Sequence, residues 1–326
     1  MKAIAQDAYG SADVLELRDV DQPTNQPDEV LIQVRAAGVD PGVWHLMTGK
    51  PYLLRIAGFG FRRPKVSIRG RAVSGVVAAI GANVTRFHPG DEVYGMCETG
   101  SWAEYAAAPE RLLAAKPAAV SHEQAAAAAI SGLTALQGVR DVGQVRPRHQ
   151  VMVIGAAGGV GSFAVQIAKA RGATVTGVCG PANTELVRSL GADDVIDYTR
   201  DEIDSQGARY DVVVDTAGNR SLALLRRAMK PIGTLVLVGG EQGRGLLLGG
   251  YDRQILRAPL VSMFVGQRLR NVTTKETAHD LDALAELMES GAVTPAIGRT
   301  YPLSDAPEAM RYVATGHAAG KVVVTI

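Results

Sequence analysis

The segment that most limits what this chain can fold into is VMVIGAAGGVGSFAVQIAKARGATVTGVC, residues 151–179. An apolar run ends in the turn Gly155-Ala156-Ala157-Gly158-Gly159-Val160-Gly161, a helical pattern follows, and a second β-branched run begins about 20 residues on. This is the pattern of a βαβ unit that cradles phosphate. Set against G-x-G-x-x-G, the matching glycines are Gly158 and Gly161, with Ala156 in the first place. The middle glycine lets the backbone approach a pyrophosphate, and the last lets helix and strand pack closely. A helix opening near Val160 would aim its free N–H groups at the phosphates.

The alternation continues. β-rich runs VMVIG, TVTGVC, DVIDY, YDVVVDTAG and GTLVLVGG are separated by helical stretches near 160–171, 182–190 and 220–229. That spacing predicts a parallel, doubly wound α/β sheet. Before it the chain is β-rich, with EVLIQVRAAGV (29–39), VSGVVAAIG (73–81), HPGDEVYGM (88–96) and GSWAEYAAA (100–108). Ser121 and Gln124 form a capping-box pattern ahead of the alanine-rich stretch 125–129. After the loop 241–250 come helical patterns near 274–290 and 305–315 and a last strand, GKVVVTI. The expected architecture is a β-rich domain over 1–124, a Rossmann-type α/β domain over 125–262, and a tail over 263–326 that rejoins the first.

With 326 residues there is room for two such cores. A formal net charge of +1 gives no global field toward nucleic acid or anionic lipid, so neither partner is expected. No apolar stretch reaches the roughly 18 residues of a membrane span, and MKAIAQDAYG has no signal-peptide block. A cytoplasmic protein is expected. Two distant cysteines, Cys97 and Cys179, form no disulfide framework and no four-cysteine zinc site.

Where the second strand ends, many dinucleotide sites keep a carboxylate for the adenosine ribose, which disfavours a 2′-phosphate. Here stand Val178, Cys179 and Gly180. NADPH is therefore permitted and expected, with NADH still possible, since Pro181, Ala182 and Asn183 offer only one amide and no cation. Tyr198 can reach the adenosine end from the next strand. The end of VLVGG (Val238, Gly239, Gly240) should approach the nicotinamide, and DTAG (215–218) its ribose side.

At these residues the chain resembles the zinc-independent quinone oxidoreductase branch of the medium-chain dehydrogenase/reductases. GVDPGVWHLMTGKPY, GVVAAIGANVTRFHPGDEVYG, GAAGGVGSFAVQIAKARGA and LGADDVIDYT carry the resemblance, which runs over nearly the whole chain. It implies a GroES-like catalytic domain around a Rossmann domain, an active site in the cleft between them, NADPH use and a homodimer. Zinc-dependent relatives carry ligands where this chain has Asp40, Arg71, Ala72 and Ile130. A catalytic zinc needs three N, S or O ligands, so no metal is expected. The lysine that quinone oxidoreductases keep near Asn183, and the serine and arginine that close relatives place where Gly180 and Ala182 stand, are also missing.

A nicotinamide site without a metal suits acceptors already activated by conjugation, because the developing enolate or phenolate needs only hydrogen-bond donors. The expected activity is hydride transfer to a quinone or an α,β-unsaturated carbonyl compound. The resemblance places Tyr52 beside the nicotinamide as the first candidate donor, a packing tyrosine being the alternative. Asp40 stands where the family has an asparagine, to orient ribose or water, or as a plain turn carboxylate. His45 reads as structural, Lys50 and Arg55 as solvated, Lys321 as solvated with reach to the cofactor as the alternative, and Phe264 as pocket or core. A zinc-free alcohol or aldehyde oxidoreductase, and an NADPH-binding protein without efficient turnover, remain open readings.

Overall fold

The computed structural model describes residues 1–52, 55–56, 60–205, 207–239 and 257–326. The chain divides into one unit of Met1–Leu133 with Lys275–Ile326, and a second of Thr134–Thr274. These boundaries differ from those expected at 124/125 and 262/263. Residues 125–133 stay with the first unit because Ala126 and Ala127, on the helix His122–Gln137, share a buried cluster with Ala36 and Val323. Residues 263–274 stay with the second because the strand Arg268–Asn271 pairs with Met229–Leu237.

In the first unit the eleven-residue strand Glu29–Val39 is the spine of a seven-stranded sheet. One edge pairs with Ala72–Ile80; the other pairs first with Tyr105–Pro109 and then with Lys321–Thr325, all antiparallel. The register shifts between Val34 and Ala36. Because side chains alternate with period two, that slip changes which residues face which core. Val30, Ile32 and Val34 join the cluster of Val73, Val77 and Phe87, whereas Ala37 and Val39 join that of Ile4, Met47, Trp102 and Met310. The alanine run follows from space: a Cβ on Gly38 would lie 2.9 Å from Ala72 Cβ and 3.0 Å from the Ala126 carbonyl oxygen. The capping box forms, with Ser121 N–H donating to Gln124 Oε1 (3.0 Å) and Gln124 N–H to Ser121 Oγ (3.3 Å).

The second unit is a six-stranded parallel sheet in the order Asp194–Asp197, Thr174–Cys179, Gln150–Ile154, Tyr210–Asp215, Met229–Leu237, Arg268–Asn271. Counted within the unit this is 3-2-1-4-5-6, the doubly wound order, with its switch point between Gln150–Ile154 and Tyr210–Asp215. The strands are β-branched because helices cover both faces. The sheet's outer strand, RLRN, buries only Leu269 and lacks the apolar run by which the others are legible. Among the described residues no helix is long and apolar enough to cross a membrane.

Candidate functional site

In the second unit the glycine turn lies at the carboxyl end of Gln150–Ile154. Gly155 has φ +77°, and a Cβ there would meet Thr216 Oγ1 at 2.5 Å. Gly161 begins the helix Gly159–Ala170 so close to the strand that a Cβ would collide with the Gly155 carbonyl oxygen. Gly158 differs. A Cβ on it would approach only the Gly155 carbonyl oxygen, at 3.3 Å. The protein itself therefore does not demand this glycine, and the space in front of it suits a ligand's phosphate. Gly158 is the helix N-cap without a side chain to cap with. The first bond into the helix is Ser162 N–H to the Gly158 carbonyl, 2.9 Å. The N–H groups of Gly159, Val160 and Gly161 thus face out of the helix end, where its dipole is positive. Ala156 and Ala157 are buried, and a Cβ on Gly177 would lie 3.1 Å from Ala156 Cβ. These residues fit a dinucleotide pyrophosphate.

Thr216, which the sequence did not single out, ties the switch point together. Its N–H and Oγ1 both donate to the Ile154 carbonyl, at 3.1 and 2.8 Å. The buried carboxylate of Asp215 accepts from the N–H groups of Ala217 and Gly218, at 3.2 and 3.1 Å. Val238 and Gly239 N–H in turn donate to the Asp215 carbonyl, at 2.9 and 3.1 Å. The ends of three strands are so fixed side by side. Gly240 and the loop 241–250 lie outside the described residues.

At the adenosine end Cys179 is buried, and burial raises its thiol pKa. It is a packing residue whose carbonyl accepts from Tyr198 N–H (3.2 Å). Asn183 N–H donates to the Gly180 carbonyl (3.0 Å). Gly180 leaves room for Tyr198, whose hydroxyl would lie 3.2 Å from a Cβ placed there. The half-exposed Tyr198 ring has the Arg220 guanidinium 5.9 Å from its centroid. Sequence reading missed this cation because Arg220 follows a different strand, beyond the DTAG turn.

In the first unit Asp40 is the N-cap of the helix Pro41–Thr48, yet its carboxylate makes no cap bond. Val39 pairs with Val322, so Asp40 and Lys321 continue the two strands directly opposite each other. Lys321 Nζ donates to Asp40 Oδ1 and to the Val39 carbonyl (3.3 Å), and Ser131 Oγ donates to Asp40 Oδ1 (3.2 Å). Asp40 Oδ2 is buried without a hydrogen-bond partner. Lys321 is 2% exposed, which corrects its reading as a solvated lysine.

Tyr52 is 40% exposed. His45 Nδ1 lies 2.6 Å from the Lys50 carbonyl; a carbonyl only accepts, so Nδ1 carries the proton and anchors the loop that bears Tyr52. Arg55, expected to be solvated, donates to the Gly49 and Thr48 carbonyls (2.9 and 3.2 Å) at the helix C-terminus, where a cation is favourable. Its guanidinium also stacks on Tyr9 and Tyr52, 4.3 and 4.8 Å from the ring centroids. Phe264, in the second unit, is 78% exposed and lies in no core.

The positions at which zinc-dependent relatives hold the metal do not fit one here. Asp40 is committed to Lys321 and Ser131, Arg71 makes a two-pronged pair with Glu276 (2.8 Å each), and Ala72 and Ile130 have no donor side chain.

Residues 26–118 match the family model described as an alcohol dehydrogenase GroES-like domain, and residues 190–324 the one described as a zinc-binding dehydrogenase. The NAD(P)H oxidoreductase RTN4IP1, mitochondrial, of Bos taurus is 31% identical over 100% of this chain and 89% of its own length. The 2-methylene-furan-3-one reductase of Solanum lycopersicum is 33% identical over 99% of this chain and 79% of its own. The solved quinone oxidoreductase of Coxiella burnetii superposes with a TM-score of 0.83 at 27% identity, covering 100% of this chain and 99% of that one.

Proposed function

As the chain belongs to the quinone-oxidoreductase-like branch of the medium-chain dehydrogenase/reductase superfamily, and is an NAD(P)H oxidoreductase, we propose that it uses NADPH to reduce a quinone or an α,β-unsaturated carbonyl compound without zinc. The observation that carries this reading is the commitment of the metal positions. Two are held in ion pairs, Asp40 with Lys321 and Arg71 with Glu276, and two are aliphatic. A simple ketone needs strong polarisation to accept hydride, while a conjugated acceptor needs only hydrogen bonds to its oxygen. The named activities of the tomato and Coxiella relatives support the same acceptor class.

When bound, the nicotinamide supplies the hydride. The N–H groups of Gly159, Val160 and Gly161 would hold its pyrophosphate oxygens at the helix end. Tyr52 donates a hydrogen bond and then a proton to the acceptor oxygen. The unfilled Asp40 Oδ2 would accept from a ribose or amide donor, in an orientation fixed by Lys321 and Ser131. Arg220 and Tyr198 give the strand end at Gly180 the cation and hydroxyl that favour a 2′-phosphate. The free, buried Cys97 and Cys179 suit a reducing compartment, and the cytoplasm is the one we propose. A homodimer is proposed on the outer strand Arg268–Asn271 and the exposed Leu260, Met263 and Phe264; light scattering of the purified protein tests it.

The test is loss of nicotinamide absorbance with 1,4-naphthoquinone, an enone and a simple aldehyde, with NADPH and NADH in parallel. Turnover of the first two but not the third is expected. No turnover of any conjugated acceptor sinks the reading.

A further inference from the structure

The first unit buries a cation that no carboxylate among the described residues balances. Arg69 is 4% exposed, its Nε has no hydrogen-bond partner, and no carboxylate among the described residues pairs with it. Burial pushes its pKa down to about 10, opposed only by the nearby Tyr9 phenol, so it stays charged near neutral pH. Buried arginines are ordinarily paired, because an uncompensated charge away from water is costly.

The backbone shows from which face this side chain leaves. The bridge Ala5↔Ile68, with Gln6 N–H on the Ser67 carbonyl (3.0 Å) and Arg69 N–H on the Ile4 carbonyl (3.1 Å), runs antiparallel. Alternation then sends Gln6, Ser67 and Arg69 from the same face. Gln6 and Ser67 line a cavity of about 560 Å³ whose wall also carries Arg62, Arg63 and Lys65. Asp7 lines it too, but its carboxylate is taken by Arg18 at 2.8 Å. Tyr9, beside Arg69, donates to the carbonyl of the wall residue Gly60 (2.6 Å). Gln6 Nε2 donates to the Ala8 and Met47 carbonyls, and its Oε1 is a second buried atom without a partner.

We propose that this cavity binds an oxyanion, a carboxylate or phosphate carried by the acceptor substrate, with Arg69, on the face shared by Gln6 and Ser67 and behind the cavity wall, as the buried counter-charge and Arg62, Arg63 and Lys65 as the attracting rim. Arg55 links it to the chemistry: one guanidinium stacks on Tyr9, which holds the wall residue Gly60, and on Tyr52, the proposed proton donor. A buried guanidinium without a carboxylate partner attracts an anion placed beside it, because the charge is little screened away from water. The inference rests on the proposed reaction only for the identity of the anion's carrier. It goes beyond that reaction by selecting acidic acceptors over neutral ones.

The test compares 4-oxo-4-phenylbut-2-enoate, an enone bearing a carboxylate, with its neutral ethyl ester. In Arg69→Met the KM for the acid should rise about tenfold or more, while kcat and the ester's KM stay within about twofold. Arg69→Lys should recover part of the loss. Inorganic phosphate should raise the melting temperature of the wild type and not that of Arg69→Met. Should Arg69→Met fail to fold, the exposed rim variant Arg62→Ala/Arg63→Ala must still weaken the acid selectively and lose that effect at high salt. Equal changes for acid and ester, or no phosphate shift in the wild type, overturn the proposal. A phosphate shift without discrimination between acid and ester indicates a free-anion site and overturns its substrate part. If no acceptor is reduced at all but the Arg69-dependent phosphate shift remains, the anion site stands and the reductase reading falls.

Discussion

Lys321 and Asp40 form an ion pair shut away from solvent, 2% and 3% exposed, between two strands that meet from opposite ends of the chain. Removing one member of a buried pair leaves the other charge uncompensated, which costs about 3–5 kcal/mol. Lys321→Met should therefore lower stability by about 3 kcal/mol in denaturant melts. Asp40→Asn in the Lys321→Met background should restore part of it, because the orphaned carboxylate is gone. Additive losses in this double-mutant cycle would mean that the two residues do not act as a pair.

The glycines of the phosphate turn should separate fold from ligand binding. Gly161→Ala places a methyl against the Gly155 carbonyl oxygen, so helix and strand must part and the melting temperature should fall markedly. In Gly158→Ala the methyl meets only one oxygen, at 3.3 Å, so stability should change by less than about 1 kcal/mol. NADPH affinity, followed by the cofactor's fluorescence, should nonetheless fall about tenfold in that variant, because the methyl stands where the pyrophosphate approaches.

Cofactor choice should depend on Arg220. Arg220→Ala should lower kcat/KM with NADPH about tenfold while leaving NADH within about twofold, as expected for one charge-assisted contact to a 2′-phosphate. An equal fall with both cofactors would make Arg220 a structural residue of the DTAG turn instead.

Tyr52→Phe removes the proposed donor without changing ring packing against Arg55. The expected result is a fall of about a hundredfold in kcat with an enone, at little cost in KM. The fall should be smaller with 1,4-naphthoquinone, whose reduced oxygen is stabilised by its own aromatic ring and depends less on the protein.

Much of the second unit is legible in the sequence for a physical reason. Strands covered on both faces read as continuous β-branched runs, and the glycine turn is fixed by close backbone contacts. The outer strand Arg268–Asn271 escapes because only Leu269 is buried. The first unit's site is less legible. Lys321 looks like a solvated lysine at the start of GKVVVTI because its partner Asp40 is 281 positions away, and only strand register brings them together. Arg55 and Arg220 are likewise placed by turns and stacking that no local pattern announces.

The commitment of the metal positions implies that hydride leaves this protein for a conjugated acceptor without a metal. Steady-state reduction of 1,4-naphthoquinone and of an enone by NADPH, using chelator-treated protein with and without added zinc, tests it most directly. Equal turnover is expected in both preparations, and none with a simple aldehyde. Turnover that appears only with zinc, or only with alcohols and simple aldehydes, would contradict it.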